Sequence, residues 1–160
     1  GTGKSTLLNA IVNDKEGIIL SPKVAFSIYQ QMDYKLFGEE TILTFLMKRT
    51  EYPENLVRSI LSNLGFAQFE ISKPLSALSG GEATKLSIAL LFVWPSNVLV
   101  LDEPTNFIDL NTIEALETLI ANYKGTVLFT SHDPYFVEEI ADDIYKIENQ
   151  QLQLTSKEEM

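Results

Sequence analysis

At 160 residues, with 45% apolar and 21% charged side chains, the chain has the length and make-up of about one folded domain and is unlike a disordered or fibrous one. Its 12 Lys and Arg face 22 Asp and Glu, a formal charge of −10 that argues against this segment alone gripping nucleic acid. The absence of Cys and the single His exclude disulfides and thiol nucleophiles and leave no basis for a His/Cys zinc site. No apolar run approaches the roughly 20 residues of a membrane helix and no secretory core opens the chain, so a cytoplasmic protein without direct membrane insertion is expected.

In chain order, Lys4–Val12 reads as a helix leaving a Gly-bearing loop. Residues 23–28 alternate, with Val24, Phe26 and Ile28 on one face, and predict a short strand. From 37 to 74 the apolar spacing turns helical, with Gly65 placed as a helix C-cap. Residues 81–92 predict another helix, closed by Trp94 and Pro95. Residues 97–101 predict a strand, apolar throughout from Val98 to Leu101, as one buried on both faces would be. A helix over 110–123, a Gly125 turn and a second buried strand at Thr126–Thr130 follow. Pro134–Ile140 predicts a short helix, 144–147 and 152–154 two closing strands, and 155–160 a polar tail. Strands and helices alternate at both ends with a helical insert between them. That pattern is an α/β sheet carrying a helical subdomain.

Gly1-Thr2-Gly3-Lys4-Ser5-Thr6 matches the end of the phosphate-binding pattern G-x-x-x-x-G-K-[ST]. Glycines let backbone amides surround phosphates, and the helix that follows favours negative charge at its start. Lys4 is expected on the β- and γ-phosphates and the Ser5 hydroxyl on Mg²⁺. The first Gly of the pattern and the strand before it would lie upstream, so the sequence begins inside its own expected site. The run Val98–Asp102 is followed by Glu103, two carboxylates at a strand end where ligands gather in open α/β sheets. Asp102 is expected to hold Mg²⁺, directly or through water, and Glu103 to polarise the attacking water. Leu78-Ser79-Gly80-Gly81-Glu82 opens a helix as a second anion site, although Ser79 and Glu82 also fit a simple capping box. His132 follows the second strand, where a γ-phosphate could reach it. Gln30 and Gln31 end the first strand, where an amide could reach water or Mg²⁺.

Taken together these motifs resemble the nucleotide-binding domain of an ABC-type ATPase, a P-loop NTPase fold with a mostly parallel sheet. Gly1 to Thr6 match its Walker A loop, Gln31 its Q-loop (with Gln30 the alternative), Leu78 to Glu82 its signature, Val98 to Glu103 its Walker B strand, Asp109 its D-loop and His132 its switch. The tract from Glu103 to Asp109, with Phe107 where His is usual, is similar to the antibiotic-resistance, ribosome-protecting branch of the ABC-F subfamily. Leu78 lies only 47 positions after Gln31, too close for the long arm insert of a first ABC domain. The resemblance implies a single partial ABC domain over 1–160 with its helical subdomain at about 37–92, lacking the first strand and the N-terminal β-subdomain. It implies ATP and Mg²⁺ as ligands, and ATP bound between the Walker motifs of one domain and the signature of another. A second ABC domain and the ribosome, reached through parts outside this segment, are the implied partners. This segment alone is expected to bind ATP poorly and not to turn it over. An ATP-binding subunit of a membrane transporter is the alternative, and a non-catalytic interaction module a further one.

Overall fold

The computed structural model of the chain describes residues 3–30 and 38–159. The first helix, α1 (Lys4–Val12), starts directly after Gly3. Gly3 has φ 92°, a left-handed conformation that costs glycine little, and no side chain caps the helix start. Strand β1 (Phe26–Ile28) pairs in parallel with β2 (Val98–Asp102), which pairs in parallel with β3 (Thr126–Thr130), giving the order β1-β2-β3. Leu99 and Leu101 of the central strand are fully buried, as the all-apolar run requires.

Between β1 and β2 the described elements are helices and 3₁₀ turns. Helix α2 (Ile42–Met47) is capped by Thr41, and α3 (Glu54–Asn63) begins after Pro53. Helix α3 ends as the sequence predicts. Gly65 has φ 90°, its amide donates to Ser62 and that of Phe66 to Leu61, a Schellman closure. Two single 3₁₀ turns, Glu70–Ser72 and Leu75–Ala77, lead into α4 (Gly80–Val93). Helix α4 buries residues around most of its circumference, among them Leu86, Ile88, Ala89, Phe92 and Val93. One continuous core joins these helices to the sheet, from Ile42 and Leu46 through Leu86 and Ile88 to Leu99, Leu116 and Phe136.

Helix α5 (Leu110–Ala121) and helix α6 (Pro134–Ile140) follow β2 and β3. Gly125 makes the turn into β3 so tightly that a Cβ there would lie 2.4 Å from the Asn97 carbonyl oxygen. An antiparallel hairpin closes the chain, β4 (Ile144–Glu148) with β5 (Gln151–Thr155). Lys157, in the tail, donates from Nζ to the Glu138 carbonyl at 2.6 Å.

The strand predicted over 23–28 is shorter, Phe26–Ile28, and its buried residue is Ser27, with Phe26 half-buried and Ile28 exposed. The Ser27 hydroxyl donates to the Leu91 carbonyl at 2.7 Å, so α4 satisfies the group that the strand turns inward. Strand β3 is half-buried rather than buried on both faces, with only Thr130 fully inside, because among the described residues it pairs on one side alone.

Candidate active site

The parallel register places the ends of β2 and β3 side by side, Asp102 opposite Thr130. Helix α1 packs over these two strands, so its first residues arrive at the same sheet edge. Three segments far apart in sequence thereby meet.

Glu103 is the centre of the arrangement. Its Oε1 accepts from Lys4 Nζ at 3.0 Å and lies 2.7 Å from His132 Nδ1. The His132 amide also donates to Oε2 at 3.3 Å. An ionised carboxylate only accepts, so the short contact places a proton on Nδ1. Burial opposes the charge on Glu103, but the hydrogen bonds and charges of Lys4 and His132 outweigh it and hold the carboxyl below the usual glutamate range. The backbone of Glu103 is turned to φ 48°, in the left-handed region that a side chain rarely adopts. Its amide donates to both the carbonyl oxygen and the hydroxyl of Thr130, at 3.1 and 3.0 Å.

Asp102 faces the other way. Its Oδ2 accepts from the Ser5 hydroxyl at 2.6 Å and its Oδ1 from the Thr130 hydroxyl at 2.5 Å. Ser5 and Asp102 therefore put two hard oxygen donors next to each other beside the start of an uncapped helix. Among the described residues no cluster of three or more His, Cys, Asp and Glu could cage a metal. This donor set fits Mg²⁺, which binds through one or two protein oxygens and takes its other ligands from phosphate and water.

The second motif forms a separate centre. Ser79 and Glu82 make a reciprocal capping box: the Glu82 amide donates to Ser79 Oγ at 3.2 Å and the Ser79 amide to Glu82 Oε1 at 3.1 Å. Lys73 Nζ completes it at 2.8 Å from Glu82 Oε2. Gly80 and Gly81 are exposed, and a Cβ on either would meet nothing within 4 Å. Neither has a left-handed backbone, so nothing inside the chain requires glycine at these two positions. Among the described residues no hydrogen bond or ion pair joins this motif to Lys4, Asp102 or Glu103.

The remaining predicted residues divide. Asp109 caps α5, its carboxylate accepting the Thr112 amide at 2.7 Å, and that bond holds its carboxyl below the usual aspartate range. Thr6 lies in the first turn of α1, exposed. Gln30 is exposed directly after β1; Gly1, Thr2 and Gln31 lie outside the described residues. The sequence reading passed over Thr130. The available signal was that two apolar strands, Val98–Asp102 and Thr126–Thr130, both end on a polar residue.

Residues 1–106 match the ABC transporter family. The erythromycin resistance ATP-binding protein MsrA of Staphylococcus epidermidis is 45% identical over 95% of this chain and 31% of its own length. The ribosome protection protein VmlR of Bacillus subtilis is 34% identical over 93% of this chain and 28% of its own. The chain thus spans under a third of either relative. A solved ATP-binding subunit of an ABC transporter shares the fold with a TM-score of 0.72 at 19% identity, over 94% of this chain and 72% of that one. No helix among the described residues is long and apolar enough to cross a membrane.

Proposed function

This chain belongs to the ABC transporter family, with relatives in the antibiotic-resistance branch of ABC-F proteins, and from that premise we propose that it is part of one nucleotide-binding domain of a two-domain ABC-F ATPase that acts on the ribosome and protects it from antibiotics. The observation that carries the enzymatic part is the shared anchoring of Glu103 Oε1 by Lys4 and His132, from two other elements. Residues 1–160 form a single partial domain in this reading, with 37–92 as its helical subdomain. The protein works in the cytoplasm.

ATP is the substrate. Residues Gly1 to Ser5, with the open amides at the start of α1, receive its phosphates. A triphosphate there competes with Glu103 for the Lys4 ammonium, so substrate binding transfers Lys4 from carboxylate to phosphate. Glu103, still held by His132 at both oxygens, then has the lone pair of Oε1 that Lys4 occupied open to accept a proton from a water aligned with the γ-phosphate. Ser5 and Asp102 would hold Mg²⁺, with Gln31 a further candidate ligand, and the ion would neutralise charge that develops on the phosphate oxygens. Asp109 lies on the loop that approaches the neighbouring domain.

Ser79 to Glu82 serve a different nucleotide from Lys4. A helix start with two exposed glycines and open amides suits the γ-phosphate of ATP held by a second ABC domain. The pair of domains closes over ATP and opens after hydrolysis. The intact Lys4, Asp102, Glu103 and His132 set disfavours a non-catalytic module. The test is translation in a cell-free system poisoned by ribosome-directed antibiotics. Wild-type full-length protein with ATP should restore synthesis, and Glu103→Gln should not. No restoration with any antibiotic class would remove the ribosome reading and favour a transporter subunit.

A further inference from the structure

We infer that Thr130 is a positioning residue for the hydrolytic site, its one hydroxyl setting the orientation of both carboxylates; this rests on the roles proposed for Asp102 and Glu103. Thr130 ends β3 in register with Asp102 and is 8% exposed, where an apolar β-branched residue would suit the strand. Its Oγ1 accepts from the Glu103 amide at 3.0 Å. That amide can only donate, so the hydroxyl proton is directed to Asp102 Oδ1, 2.5 Å away. Branching at Cβ restricts χ1, so the strand backbone itself fixes where the hydroxyl points.

Each half of this bridge has a consequence. With Oδ1 tied, Asp102 cannot rotate freely, and Oδ2 is the oxygen presented to Ser5. With its amide held by both Oγ1 and the carbonyl of Thr130, Glu103 keeps the left-handed φ of 48° that aims its carboxylate between Lys4 and His132. Thr130 touches neither phosphate nor metal in this scheme. It acts through the two acids.

The test compares Thr130→Val, which keeps the shape and loses the hydroxyl, with Thr130→Ser, which keeps the hydroxyl. In the full-length protein, Thr130→Val is expected to lower kcat about tenfold, the effect of one oriented hydrogen bond, with KM for ATP within about twofold of wild type. Binding of a fluorescent ATP analogue without Mg²⁺ should be unchanged, while the Mg²⁺ concentration for half-maximal enhancement rises. Thr130→Ser should restore both readouts. If Thr130→Val does not accumulate as folded protein, Thr130→Ala takes its place in the same comparison. Wild-type kcat and Mg²⁺ titration without the hydroxyl would overturn the inference, as would equal impairment of Thr130→Ser, which would assign the effect to the methyl. Asp102→Asn and Glu103→Gln run alongside: if they too leave both readouts unchanged, the site reading itself fails, independently of Thr130.

Discussion

Replacing Gly81 by Ala separates folding from function at the start of α4. A Cβ there meets nothing within 4 Å and the backbone is not left-handed, so the change brings neither clash nor strain. Gly81 lies in the first turn of a 14-residue helix. Alanine is the better helix former and also restricts the unfolded chain, so the folded state gains about 0.5–1 kcal/mol. Activity should move the other way. The new methyl stands beside the open amides at which the second nucleotide's phosphate is proposed to dock, and even a small misplacement there costs rate. A tenfold loss in kcat/KM corresponds to about 1.4 kcal/mol of transition-state stabilisation. The assay is phosphate release by the full-length protein, read together with thermal unfolding. An unchanged or raised melting temperature with at least a tenfold loss, on the order set by one such interaction, is expected. Activity within about twofold of wild type, at equal stability, would leave Ser79 to Glu82 as a helix cap and refute the composite site.

Gly125→Ala should destabilise the protein by about 1–3 kcal/mol, because its Cβ would collide with the Asn97 carbonyl, and chemical denaturation measures this. Glu82 is partly buried, which opposes its charge, but hydrogen bonds from Lys73 and the Ser79 amide lower its carboxyl below the usual range. A carboxyl lowered on folding stabilises above the unfolded value of about 4.3, and that contribution is lost as pH falls through the folded value. Glu82→Gln should therefore weaken the fold near neutral pH, with the deficit vanishing on acidification; a deficit that persists in acid would contradict the ion-pair origin. Lys4→Met removes the ammonium 3.0 Å from Glu103 and should weaken binding of a fluorescent ATP analogue at least about tenfold, with equal binding counting against the phosphate role.

Elements bounded by local chemistry were legible in the sequence. Asp133 capping a helix that begins at Pro134 gives α6 its start, and Gly65 gives α3 its end. The unbroken apolar run up to Asp102 marks the central buried strand. What escaped depended on tertiary partners. Alternation puts Phe26 and Ile28 on one face of β1 but does not say which face is inside; Ser27 is, with its hydroxyl donating to the Leu91 carbonyl of α4. The half-exposed state of β3 follows from its place in the sheet, which strand composition does not encode. Motif order groups Lys4, Glu103 and His132, yet their convergence on one oxygen needs the β2–β3 register and the packing of α1. For Thr130 the sequence offers only a polar strand end, since its value comes from lying opposite Asp102, 28 positions away.

The most direct measurement is co-sedimentation of full-length protein with ribosomes, carrying Glu103→Gln and the matching change in the proposed second ABC domain. ATP and ADP are compared. Retention on ribosomes with ATP and release with ADP are expected, since in the proposed mechanism the double change stops hydrolysis and leaves the nucleotide contacts of Lys4 and Ser5 in place. Absence of retention, in a protein that still binds ATP, would contradict a ribosome-acting ATPase.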